Sequence, residues 1–336
     1  MFVDVAQSPA ELRRIFATLG LAAPGETPRA TPLAGGVSSA ISRVDLASGT
    51  YCLKQALPQL KVAKLWTVPV ERVFAEIEWL RTASDIVPGH VPQVIGTDDA
   101  TRSFVMPFLG SDHRNWKAEL MAGRVDEEVA HRVGDLIGRI HAATAGVEAV
   151  AHHFANDANF HALRLEPYLV ETARVHVDLA PRLQALVDRT QRMHVALVHG
   201  DLSPKNILVG PQGPVLLDAE CACYGDPAFD VAFCLNHLLL KTAWKPAFGA
   251  ALMRAFVALA EAYRQHVTFE PKEALERRIA ALLPALALAR IDGKSPVEYL
   301  DESQRERVRR AAITLLDRSH LDLGATATFW SEEFPA

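Results

Sequence analysis

The segment His199-Gly200-Asp201-Leu202-Ser203-Pro204-Lys205-Asn206 spaces a histidine, an aspartate and an asparagine as HxDxxxxN. One strand-turn-strand interval later comes Leu216-Leu217-Asp218-Ala219-Glu220. Moving a phosphoryl group from ATP to a hydroxyl asks little of a protein. It needs a carboxylate that orients the attacking hydroxyl and accepts its proton, and oxygen ligands that hold Mg2+ against the phosphates. This stretch supplies both. Three residues at set spacing recur by chance, but a downstream strand that ends in Asp makes coincidence much rarer.

Upstream, Lys54 stands between apolar neighbours in Tyr51-Cys52-Leu53-Lys54-Gln55-Ala56, where a charge is costly unless it meets a partner. The two runs Ala40 to Leu46 and Thr50 to Ala56 have strand character, with Ser48-Gly49 supplying hairpin chemistry between them. Before them, Gly35-Gly36-Val37-Ser38-Ser39 combines glycines that permit close backbone approach with two hydroxyl donors. A phosphate-covering loop and a plain turn both fit it. Pro69 to Thr82 carries Val70, Val73, Phe74, Ile77 and Leu80 at helical spacing, and Val91 to Gly96 and Ser103 to Leu109 read as further strands. Ahead of all these, Ser8, Pro9 and Glu11 open a helix that Gly20 ends, and a Pro/Gly-containing linker runs from Pro24 to Pro32.

Beyond Gly110 helical periodicity takes over, as in Val129, Val133, Leu136, Ile137 and Ile140. Short apolar strands at Ala196 to His199, Asn206 to Val209 and Val215 to Leu217 bracket the polar loops that hold the chemistry. Helices are expected at Pro227 to Leu240, Pro246 to His266, Pro271 to Ala289 and Ser303 to Arg318. A β-rich region with one main helix thus precedes a larger α-rich one, an α+β organisation.

At 336 residues the chain exceeds a single core, which suits two lobes. Hydrophobic residues at 49% and charged ones at 22% describe an ordinary globular protein. A net charge of −5 without a Lys/Arg run gives no reason to expect nucleic acid as a partner. Apolar stretches are too short or interrupted to cross a bilayer and the N-terminus has no basic-then-apolar signal, so no membrane role is expected and the protein reads as cytoplasmic. No feature assigns an oligomeric state. The cysteines Cys52, Cys221, Cys223 and Cys234 form no CxxC pair, and Cys221 and Cys223 read as small residues alternating along a strand.

On these motifs the chain resembles the aminoglycoside phosphotransferase and choline kinase superfamily, whose members share the protein-kinase fold and phosphorylate small molecules. The resemblance covers nearly the whole chain. It implies a protein-kinase-like two-lobed fold, with a nucleotide-binding lobe over residues 1–109 and a catalytic and substrate-binding lobe over 110–336. It implies ATP and Mg2+ as cofactors, Asp201 as catalytic base, and Asn206 and Asp218 as metal ligands. Glu220 becomes an additional or water-mediated metal contact if the strand continues past Asp218, and a loop carboxylate if the chain turns there. In the same logic Lys54 meets the α- and β-phosphates and is oriented by a helix glutamate, Glu76 in preference to Glu78. Gly35, Gly36, Ser38 and Ser39 then cover phosphate, and Met106 and Phe108 belong to a hinge whose backbone meets adenine.

Within the superfamily the chain is most similar to methylthioribose kinases, through Leu53-Lys54-Gln55-Ala56-Leu57-Pro58, Glu71-Arg72, Val91-Pro92 and Tyr224-Gly225 ahead of Phe229-Asp230. It departs from them at Asn206, where they tend to have Ser, at Ala219, where they have Pro, and at Ala289-Arg290, where they pair two arginines. Since the resemblance implies that the second arginine of that pair helps hold the sugar, Arg290 is a substrate candidate for a sugar-like or other polyhydroxylated acceptor. Trp116 and Asp292 are further candidates that ordinary packing or helix-end chemistry would also explain. The alternatives are an aminoglycoside O-phosphotransferase and a catalytically silent nucleotide-binding regulator. Gly293-Lys294-Ser295 imitates the end of a P-loop, but Leu288 stands where that loop needs a glycine. Asp226, Asp230 and His141 read as structural, the two aspartates by capping a helix and bracing the catalytic loop.

Overall fold

The structure, a computed structural model, describes residues 3–33, 38–58, 70–318 and 322–335, and the chain divides into two compact units, Met1–His113 and Arg114–Ala336. The division falls after His113 rather than after Leu109. Among the described residues no helix is long and apolar enough to cross a membrane.

The first unit opens with α1 (Pro9–Thr18). Ser8 accepts a hydrogen bond from the Glu11 amide, and Pro9 takes a position whose missing N–H costs nothing. Strands β1 (Arg29–Pro32), β2 (Ser39–Leu46) and β3 (Gly49–Ala56) follow, then α2 (Arg72–Ile86), β4 (Gly96–Asp98) and β5 (Ser103–Pro107). They form one antiparallel sheet in the order β1-β2-β3-β5-β4. Three expectations shift. The segment expected to be a linker contains β1, because its residues pair with the outer edge of β2. The strand expected at Val91 to Gly96 starts only at Gly96, since Pro92 has no amide to pair. The β2–β3 turn is Ala47-Ser48, with Leu46 opposite Gly49.

Side-chain alternation along β3 divides its two faces. Leu53 joins Val44 and Val105 in a core against Leu12, Ile15 and Phe16 of α1. On the same face Gln55 accepts from the Val5 amide at 3.0 Å and donates to the carbonyls of Val3 and Thr101. Lys54 points to the opposite face, toward α2, and β3 is an interior strand.

In the second unit β6 (Arg114–Asn115), α3 (Trp116–Met121) and α4 (Glu127–Thr144) lead to the short helices α5 (Glu148–His153) and α6 (Asp157–Phe160). A π-helical stretch, His161–Val170, with Pro167 inside it, passes into α7 (Glu171–Val175) and α8 (Ala180–Arg192). Next come β7 (Ala196–Val198), β8 (Ile207–Gly210), β9 (Gly213–Leu216) and β10 (Cys223–Gly225). The strands form two small antiparallel sheets, β10-β7 and β6-β8-β9. Helices α9 (Pro227–Trp244), α10 (Gly249–Gln265), α11 (Lys272–Asp292), α12 (Glu302–Asp317) and α13 (Leu323–Glu333) complete the unit.

Helix α9 is the centre of this unit, buried from Pro227 to Ala243, as expected of a helix apolar on all sides. The four cysteines are buried free thiols, and Cys221 lies in a turn ahead of β10 rather than in a strand.

Candidate active site

In the first unit, Lys54 Nζ donates to Glu76 Oε1 at 2.7 Å, both side chains about 3% exposed. Glu78, the competing glutamate, pairs with Arg81 at 2.5 Å. The buried Arg72, first residue of α2, donates to the carbonyl oxygens of Ser38 and Leu57 at 2.5 and 2.8 Å. It thereby ties the start of α2 to the open end of the β2–β3 pair. Ser38 and Ser39 are buried there, whereas Gly35 and Gly36 lie outside the described residues. Met106 is opposite Cys52 in the sheet, and the Phe108 amide donates to the Thr50 carbonyl at 3.3 Å beneath the Arg43 guanidinium.

In the second unit the loop after β7 carries His199, Gly200 and Asp201. Asp230, in the first turn of α9, accepts from the His199 amide at 2.6 Å and the Gly200 amide at 2.8 Å, one on each carboxylate oxygen. His141 closes on the same carboxylate at 3.3 Å and on the Tyr263 hydroxyl at 3.0 Å. Asp226 caps α9 by accepting from Ala228 and holds Arg278 at 3.1 Å. Gly200 has φ +74°, and a Cβ there would come within 2.4 Å of the Cys221 carbonyl oxygen, so the loop admits only glycine.

His199 is a strut. Its Nδ1 accepts from the Asp201 amide at 3.2 Å and its Nε2 donates to the Leu217 carbonyl at 2.9 Å. That pairing requires the neutral ring protonated at Nε2, and burial does lower its pKa below the ordinary value. The strut joins the loop of Asp201 to the strand end that delivers Asp218. The Leu217 amide, donating to the Asn206 carbonyl at 2.9 Å, makes a second tie.

Asp201 is 2% exposed. Its Oδ2 receives Arg164 at 2.8 Å, Lys205 at 3.0 Å and Asn206 Nδ2 at 2.8 Å. Burial alone pushes this carboxyl up, but Arg164 and Lys205 outweigh it and hold the group below the usual carboxylate range, with Asp218 opposing them. All these contacts converge on Oδ2, and among the described residues none falls on Oδ1. Arg164 also donates to the Gly200 carbonyl at 2.6 Å.

Neither Arg164 nor Lys205 stands out in the sequence as a site residue. Lys205 lies inside the HxDxxxxN segment, four residues past Asp201, where its proximity is a matter of spacing. Arg164 comes from the π-helical stretch, a form often found at functional sites, and no motif marks it.

Asp218 adopts a left-handed backbone, φ +68°, which ends the strand direction. The chain turns at once, the Ala222 amide donating to the Ala219 carbonyl at 3.0 Å, so Glu220 does not continue the strand beside Asp218. Glu220 is buried and close enough to Arg164 to reinforce its charge. Among the described residues no three His, Cys, Asp or Glu side chains are grouped for a metal. The donor set of Asp218 carboxylate and Asn206 amide oxygen is all oxygen, which fits a hard divalent cation that completes its shell with phosphate and water.

The substrate candidates come from other elements of this unit. Trp116 opens α3 and is 1% exposed. Arg290, in the last turn of α11, donates to Ser295 Oγ at 2.8 Å and lies over the Tyr168 ring. Asp292 is ion-paired with Arg309 and hydrogen-bonded to His176, each at 2.8 Å.

Residues 29–269 match the phosphotransferase enzyme family, and the chain belongs to that family. It is 27% identical over 215 residues to the methylthioribose kinase of Pectobacterium atrosepticum, covering 56% of this chain and 54% of that protein. It is 24% identical over 225 residues to methylthioribose kinase 1 of Oryza sativa subsp. japonica, covering 57% and 51%. The chain thus spans about half the length of these curated relatives. Its fold is shared with a choline/ethanolamine kinase family protein from Mesorhizobium loti (TM-score 0.54, 16% identity, 96% of this chain and 99% of that one). It is shared too with an amicoumacin kinase solved in complex with AMP-PNP, Ca2+ and Ami (TM-score 0.54, 15% identity, 91% and 93%). The architecture is protein-kinase-like, an antiparallel sheet unit followed by a helical one.

Proposed function

We propose that this chain is an ATP-dependent phosphotransferase that moves the γ-phosphate onto a hydroxyl of a sugar-like or polyhydroxylated small molecule. The observation that carries this reading is Asp201, a buried carboxylate with one oxygen clamped by Arg164, Lys205 and Asn206 and the other left for a hydroxyl. Asp201 Oδ1 orients the acceptor hydroxyl. As the acceptor oxygen bonds to the γ-phosphorus, the bond from phosphorus to the β–γ bridging oxygen breaks and its electron pair leaves with ADP. The hydroxyl proton passes to the Asp201 carboxylate. Because Arg164 and Lys205 make this carboxylate a weak base, its main task is orientation, and the proton arrives late in the transfer.

Asn206 and Asp218 would hold Mg2+, which when bound neutralises charge on the transferring phosphoryl group. Lys54, fixed by Glu76, supplies a positioned cation for the nucleotide phosphates. A methylthioribose-like acceptor is the finer reading, supported by the similarity to methylthioribose kinases.

The test is transfer of label from γ-labelled ATP, with Mg2+, to a panel of sugars, sugar acids, aminoglycosides and amino alcohols. Labelled product with at least one polyhydroxylated compound is expected. Tight ATP binding with no product from any compound would instead favour a silent nucleotide-binding regulator.

A further inference from the structure

The second unit contains a file of side chains that leads away from Asp201 along one face of α9. Phe233, His237 and Lys241 recur every four residues, and so share that face. The Phe233 ring lies 5.9 Å from the Arg164 guanidinium that grips Asp201. His237 packs edge-on against Phe233 at 5.4 Å, and Lys241 Nζ donates to the His237 carbonyl at 3.1 Å. Tyr168 packs on Phe233 at 5.5 Å and carries the Arg290 guanidinium over its own ring at 5.8 Å. Lys241 in turn lies 5.4 Å from the Tyr299 ring.

Several of the polar groups around this file are donors or cations without a carboxylate partner among the described residues. Lys241 is 1% exposed and, among the described residues, its ammonium has one carbonyl and one aromatic face but no carboxylate. Arg290 likewise has no carboxylate partner there, and its Nε is buried with no hydrogen-bond partner. The Tyr299 hydroxyl is buried and has no hydrogen-bond partner among the described residues either. Lys117 is close enough to act on both His237 and Lys241. Glu298, a carboxylate that offsets these cations, is taken by Lys117 at 2.5 Å. Burial without a counter-ion pushes Lys241 down to about 7, with Lys117 and Arg290 adding to the shift. Buried donors without acceptors, and buried cations without a counter-ion, are unfavourable by themselves, and an anionic ligand would satisfy both. Arg290, Tyr299 and Lys117 are only partly buried, so such a ligand can reach the set from solvent.

We infer that the phosphate acceptor carries a negatively charged group, a carboxylate or a phosphate, which seats against Lys241 and Arg290 while its hydroxyl meets Asp201. The inference rests on the phosphotransferase reading above and narrows it. A polycationic aminoglycoside would meet this surface with the wrong sign.

The experiment compares matched acceptors, ribose with ribonate and ribose 5-phosphate, and glucose with gluconate, alongside kanamycin. Binding without nucleotide is followed in parallel by calorimetry. An anionic member should exceed its neutral counterpart by about tenfold or more in kcat/KM, the size expected when buried charged groups gain a partner. The preferred anion tells carboxylate from phosphate. Lys241→Met and the more exposed Arg290→Gln should each raise KM for that anion and weaken its calorimetric binding, with thermal unfolding verifying that both fold. Equal kcat/KM for neutral and anionic partners, or a preference for kanamycin, overturns the anionic acceptor and leaves the kinase intact. No transfer to any compound counts against the kinase itself. In that case calorimetry still decides whether the cationic set binds ribonate, gluconate or ribose 5-phosphate.

Discussion

Asp201 answers two opposed demands: burial disfavours its charge, while three donors on Oδ2 secure it. Replacing it by Asn keeps the shape but removes the proton acceptor, so kcat should fall by about 10²–10⁴-fold with little change in ATP affinity. Single-turnover kinetics and nucleotide titration would check this. Arg164→Met removes the nearest buried cation, and the Asp201 pKa should rise. The active form is the carboxylate, lost as pH falls through its pKa, so the acid limb of the kcat profile should move to higher pH. Loss of one partner from this buried pair should also lower stability by about 3–5 kcal/mol in urea unfolding. A merely structural arginine would lower stability without moving the pH limb. At this scale the sequence was most legible, because the spacing of Asp201, Asn206 and Asp218 is a local property. Arg164 was not, because its role comes from a fold that returns a residue 37 positions upstream to the loop.

Among the elements, α9 braces the loop from one end and carries Lys241 at the other. Asp230→Ala would leave the amides of His199 and Gly200 buried without acceptors, at a cost of about 2–4 kcal/mol, and should impair turnover through the displaced loop. Asp230→Asn keeps one acceptor oxygen and should lose less, which equilibrium unfolding of both variants would reveal. Lys241 has the reverse problem. Its pKa is depressed in the folded protein to about 7 and is near 10.5 when unfolded, so the unfolded chain holds the extra proton between these values. Stability should therefore rise with pH from about 7 to 10, and Lys241→Met should remove that slope and stabilise the protein at pH 7 by an amount on the order of a few kcal/mol. Urea unfolding across that range reads both effects. Sequence periodicity anticipated the main helices and strands. It missed β1, whose residues become a strand only because β2 offers an edge, and it extended a strand across Pro92, where pairing fails.

For the whole molecule, the two units carry different parts of the proposed reaction, and their variants should separate kinetically. Lys54→Met in the first unit should raise KM for ATP, and it removes the cation that pairs with the buried Glu76. The double variant Lys54→Met with Glu76→Gln should recover much of the lost stability without recovering ATP affinity, a distinction that unfolding and nucleotide titration together would draw.

The sequence by itself determined the α+β class, the Asp201, Asn206 and Asp218 spacing, and a strand lysine among apolar neighbours, since each follows from residues close in the chain or from a period of two or 3.6. The partnership of Lys54 with Glu76 came from the family resemblance. Only the tertiary structure decided that Arg164 and Lys205 set the charge of Asp201, that Asp230 holds the loop through two amides, and that Glu220 leaves the strand at a left-handed Asp218. It also decided that Lys241 and Arg290 lie near one another with, among the described residues, no carboxylate ion-paired to either. Burial and charge balance are sums over neighbours distant in sequence, and no local pattern carries them.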